Sequence, residues 1–118
     1  MHDKDALRDR YLRDGPSVRL GGLAANLARV STRCSNPANS AAVHGIIEES
    51  KWFIEWTAAI FVTDSIDTAA RLVLLQIKLS CWQIGWDARW RDPDTRAAIA
   101  SESKMWSDQV LEMSGLLG

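Results

Sequence analysis

Residues 66–91 read IDTAARLVLLQIKLSCWQIGWDARWR, a run with two apolar stripes at helical spacing and no alternation of the kind a strand requires. At about 100° per residue, Ile66, Ala70, Val73, Ile77, Ile84 and Ala88 fall on one face, and Leu72, Leu75, Leu79, Trp82, Trp86 and Trp90 fall on the opposite one. The spacing therefore predicts one long helix over residues 65–91 that has two faces to cover. A helix of this kind must be central to a bundle or must supply one face to a contact.

Working outward, punctuation divides the rest of the chain. Gly15-Pro16-Ser17, Asn36-Pro37-Ala38-Asn39-Ser40 and Asp92-Pro93-Asp94 each combine a capping side chain with a proline suited to a first helical turn. Ser17 is expected to cap the first helix, and Asn36 or Ser40 the second. Thr63-Asp64-Ser65 lacks glycine and proline, but its three weak helix formers fit a tight reversal. The predicted helices are 17–34, 40–62, 65–91 and 93–114, with Gly115 closing the last. Leu20, Leu23, Leu27, Val30 and Cys34 form the first core stripe. Val43, Ile47, Ile54 and Phe61, with Ile46, Phe53 and Ile60, form a broad second, and Ile99, Trp106, Val110 and Met113 the narrower last. The expected fold is all-α, an antiparallel up-down four-helix bundle over residues 15–118, preceded by a charged N-terminal segment, 1–14, helical or extended. A reversal near Thr63 would set Glu55 level with Arg71 and Glu48 level with Lys78, as exposed inter-helix ion pairs.

Composition narrows the function classes. The chain has 118 residues, 47% hydrophobic and 25% charged, which suits one ordinary globular domain. Its formal net charge of -1 provides no bulk attraction to nucleic acid or anionic lipid. Residues 1–35 carry seven bases against four interleaved aspartates, an excess of three that suits a solvated surface better than a phosphate track. No apolar run is long and uninterrupted enough for a membrane span or a signal peptide: Lys78 interrupts the best candidate, and Met1 to Arg13 alternates acids and bases. Cys34 and Cys81 lie far apart inside helical stretches and read as reduced core thiols, which points to a cytoplasmic setting.

No residue set supports catalysis. His44 precedes Glu48 by one helical turn, but no nucleophile or further ligand accompanies them, and the other histidine is His2. Gly21-Gly22 lacks the strand, spacing and lysine of a phosphate loop. No catalytic residue, metal ligand or cofactor is expected.

The tryptophans direct the functional expectation. Six occur beside one tyrosine and two phenylalanines. Left exposed, Trp82, Trp86 and Trp90 would present roughly 450 to 750 Å², at or above the largest patch usual on a monomer. The N-terminal segment around Leu7 and Tyr11 could cover them, or a second copy could. The expectation taken forward is a non-catalytic interaction module, a homodimer built on Leu75, Leu79, Trp82, Trp86 and Trp90, with Val73, Ile77 and Ile84 turned into the subunit's own core. Trp52, between Glu48 and Glu55 on the polar side of the second helix, either lies across a neighbouring helix or is a further contact residue for an unidentified protein partner. The alternative function is a carrier or sensor of an apolar small ligand, held in a tryptophan-lined pocket between helices.

Overall fold

Side-chain caps open two of the α-helices, those beginning at Ile66 and Pro93, and the 3-10 turn that begins at Pro37. The computed structural model describes residues 3–116, and His2 lies outside them. The helices are α1 (Asp3–Arg13), α2 (Pro16–Arg33), α3 (Ser40–Asp64), α4 (Ile66–Gln83), α5 (Trp86–Arg91) and α6 (Pro93–Ser114), with a 3-10 turn over Pro37–Asn39. The Asn36 side chain accepts from the Ala38 amide at 2.9 Å, and Ser65 Oγ accepts from the Thr68 amide at 3.3 Å. Asp92 accepts from the Asp94 amide at 3.2 Å, with Pro93 opening α6. Gly115, at φ 74°, ends that helix in the left-handed conformation that glycine adopts without a Cβ penalty. Two expectations need correcting: at α2 Gly15, not Ser17, is the N-cap, because Pro16 takes the first helical position, and at α3 the N-cap is Asn39, with Asn36 capping the 3-10 turn and Ser40 already inside the helix.

The chain is all-α, but among the described residues it has six α-helices rather than four. One addition is the N-terminal segment, which forms α1. The other comes from residues 65–91, which do not make one helix. After Gln83 the backbone turns through Ile84 and Gly85, the latter at φ 63°, and resumes as α5 in a new direction. Two indole anchors hold α5 there: Trp86 Nε1 donates to Ser40 Oγ at 3.0 Å, and Trp90 Nε1 donates to the Pro37 carbonyl at 2.7 Å.

Helices α2 and α6 pack antiparallel along a seam of small residues. Ser31 Oγ donates to the Ala100 carbonyl at 2.8 Å, Ser103 Oγ to the Leu27 carbonyl at 2.7 Å and Ser107 Oγ to the Ala24 carbonyl at 2.7 Å. Buried hydroxyls bonded to helix carbonyls let the two backbones approach without stranding a polar group. The buried face of α6 is therefore Ile99, Ser103, Ser107, Val110 and Ser114. Trp106 and Met113, expected in its core stripe, pack only partly buried against the edge.

The α2 stripe is buried through Leu20, Leu23, Leu27, Val30 and Cys34, and the α3 stripe through Val43, Ile47, Phe53 and Ile54, whereas Ile46, Ile60 and Phe61 are only partly buried. Helix α1 joins through Tyr11, whose ring stacks on Phe53 at 4.0 Å. Its hydroxyl donates to the Arg19 carbonyl at 2.7 Å and accepts from Thr57 Oγ1 at 3.3 Å. Burial of this phenol pushes its pKa up from 10.0 to about 12. No helix among the described residues is long and apolar enough to cross a membrane.

Candidate interaction surface

Helix α4 decides which apolar face is covered within the chain, and it reverses the expected assignment. Leu72, Leu75 and Leu79 are fully buried, and Trp82 is 4% exposed. On the other side Ile66 is 71%, Val73 49%, Leu74 59% and Ile77 55% exposed, with Ile84 beyond the helix end at 69%. The larger face won the interior. Leucines and a tryptophan remove more area from water than β-branched residues spaced by Ala70 and Ser80, so turning them inward is the lower free-energy choice.

The tryptophan seam expected as a subunit contact is thus not a surface. Trp86 and Trp90, on α5, are 8% and 5% exposed and stack on each other with ring centroids 5.3 Å apart. The His44 ring meets Trp86 edge-on at 5.3 Å, so this histidine is engaged in packing. Arg96 lies over Trp90 and donates to its carbonyl at 2.7 Å. The cover for these rings comes from the 3-10 turn and the start of α3, not from the N-terminal segment. Instead α1 lies against α3 near Trp52. That ring is half-buried, with the Lys4 ammonium 4.7 Å from its centroid and Trp56 beside it at 6.3 Å. Trp52 thus stands beside α1 of its own chain, bordering a concavity with Leu7 and Arg10.

The expected ion pairs are also corrected. Among the described residues Glu48 does not pair with Lys78, nor Glu55 with Arg71. Helix α3 continues to Asp64 and the reversal occurs at Ser65, so level positions shift along α4. Gln83 now sits beside Glu48, donating to its carboxylate at 2.8 Å and accepting from Lys51 Nζ at 2.7 Å. Lys78 faces the last helix and pairs with Glu102 at 3.2 Å. Glu55 and Arg71 are both exposed.

Cys81 is exposed beside the outward face of α4, contrary to the expectation of a core thiol, whereas Cys34 is buried. Loss of hydration raises the Cys34 pKa from 9.0 to about 11, which suppresses its thiolate. No group of three or more metal-binding side chains occurs among the described residues.

Single tryptophans line several concavities: Trp86, Trp52 and Trp82 each border one. Another, of about 510 Å³, lies where Gly21 and Gly22 leave room on α2, walled by Tyr11, Phe53, Leu111, Leu116 and the polar Asn26, Arg29 and Glu49. Its polar wall is tied together: Asn26 donates to Glu49 at 3.3 Å and accepts from Arg29. A wider, open depression of about 880 Å³ lies between Ser40, His44, Trp86, Asp87 and Arg91.

Fold and surface together describe an all-helical protein that buries its aromatic face and leaves one helix with an uncovered aliphatic stripe. Compared with protein-family models, curated proteins and solved structures, the chain shows no match.

Proposed function

We propose that the chain is a non-catalytic helical assembly module that self-associates as a homodimer, and that the contact is the outward face of α4. The observation that carries this is the exposure of Ile66, Val73, Leu74, Ile77 and Ile84 on one side of a helix whose other side is fully buried. Together they present roughly 500 Å² of mostly apolar surface, near the top of the range for the largest patch on a monomer. Leaving that area in water is unfavourable, and a second protein surface is the ordinary way to remove it. Two free thiols agree with a reducing, cytoplasmic setting.

The test is the mass of the full chain by sedimentation equilibrium from micromolar to millimolar concentration. A dimer is expected, with Ile77→Asp shifting it to monomer while the helical circular dichroism stays unchanged. A wild-type chain that is monomeric throughout overturns the proposal.

Carriage of an apolar small ligand is the second reading, favoured by the 510 Å³ concavity beside Gly21 and Gly22, a size within the usual range of ligand sites. Bound material retained in native mass spectra of the purified chain, and lost in Gly22→Leu, would support it. Spectra free of bound material would count against it.

A further inference from the structure

Resting on that reading of α4 as the subunit contact, we infer that two copies pair α4 against α4 in antiparallel fashion, about a two-fold axis midway between Val73 and Ile77. Ile66, Ala70, Val73, Ile77, Ser80 and Ile84 are spaced 4, 3, 4, 3 and 4, the seam of a two-helix coiled coil. Read from either end their sizes run large, small, large, large, small, large. Reversing one copy therefore brings Ile66 to Ile84, Ala70 to Ser80 and Val73 to Ile77 of the other. Large side chains then meet large ones and small meet small, and each contact of i with j is matched by one of j with i, as an isologous interface requires.

The flanking residues select antiparallel over parallel. Leu74, 59% exposed, sits on one shoulder of the seam, and Gln76 on the other. In the antiparallel pair each shoulder meets its own copy across the axis, so leucine buries against leucine and amide bonds with amide. In a parallel pair Leu74 would face Ala69, which is only 7% exposed and already covered within its own chain, so the leucine would gain little cover. Opposed helix dipoles favour the same choice. The size is adequate. Helix α4 has 18 residues, hence about 27 Å of seam, and two such faces with their rims remove roughly 1,200 Å² in total, the lower bound of a specific interface. Each copy's Cys81 lies about 18 Å along the axis from its mate, so no intersubunit disulfide forms between native thiols.

Cross-linking in the full chain tests the geometry. In a Cys81→Ser background, which retains only the buried Cys34, single variants Leu74→Cys and Ile66→Cys are treated with a bismaleimide spanning about 10 Å, a helix diameter. Leu74→Cys is expected to give a covalent dimer, and Ile66→Cys none, since its two copies stand about 27 Å apart. Efficient cross-linking of both variants overturns the antiparallel pairing in favour of a parallel one. Cross-linking of neither, in samples whose mass is dimeric, places the contact elsewhere and also overturns it. The dimer mass of the unlabelled variants is measured first, so failure to associate is seen separately from failure of the pairing.

Discussion

Replacing Trp90 separates a ring buried within the subunit from one reserved for a partner. Trp90 is 5% exposed, stacked on Trp86, with its indole N–H 2.7 Å from the Pro37 carbonyl. Trp90→Ala removes the ring and leaves a cavity among rigid neighbours, a change that costs about 3 to 5 kcal/mol. Trp90→Phe keeps most of the aromatic surface but removes the donor, a loss of about 1 to 2 kcal/mol once the smaller ring is included. In urea, with a slope near 1.5 kcal/mol per molar, the midpoint should fall by about 2 to 3 M for the alanine variant and by about 1 M for the phenylalanine one. The assay is circular dichroism across a urea series, repeated at several protein concentrations. Because the ring is covered by its own chain, the difference from wild type should not depend on concentration. An unchanged midpoint for Trp90→Ala, or a loss confined to concentrations at which wild type is dimeric, would refute the burial argument.

Gly85→Ala should destabilise the chain by about 1 to 2 kcal/mol, with Gly85→Asn milder, since the φ of 63° is penalised for side-chain-bearing residues although an added Cβ meets nothing within 4 Å; equal midpoints for all three in urea would contradict this. Tyr11 contributes stability through its neutral phenol, because its pKa is 10.0 when unfolded and about 12 when folded. That contribution is complete below pH 10 and is lost as pH rises to 12, a span of about 2 to 3 kcal/mol. The alkaline decline of the denaturation midpoint should therefore be shallower in Tyr11→Phe than in wild type, and parallel declines would rule the phenol out. Exposed Cys81 should react rapidly with a disulfide reagent at low protein concentration and buried Cys34 only at the rate of unfolding, whereas two fast thiols would show that Cys34 is accessible.

Much of α4 was legible before any coordinates. Its two stripes follow from periodicity alone, but periodicity is blind to which stripe turns inward, and here the aromatic face did. The break at Gly85 had a glycine as its signal, yet an isolated glycine in a helical pattern is usually tolerated. What distinguishes this one is the pull of Trp86 and Trp90 toward Ser40 and Pro37, partners 46 and 53 residues away. The serine seam of α6 escaped because Ser103 and Ser107 read as polar, whereas helix carbonyls on α2 make them buried.

By itself the sequence determined the helical class, the cap at Asp92, the C-terminal Gly115, and most of the apolar stripes of α2 and α3. These depend on neighbours within one or two turns, where propensity and capping act directly. Only the tertiary structure decided the direction of α5, the register of α3 against α4 and the exposure of Ile66, Val73, Leu74, Ile77 and Ile84. Each of these is a competition between distant surfaces for the same interior. Its outcome depends on how much area every candidate removes from water and on which polar groups find partners once it is buried.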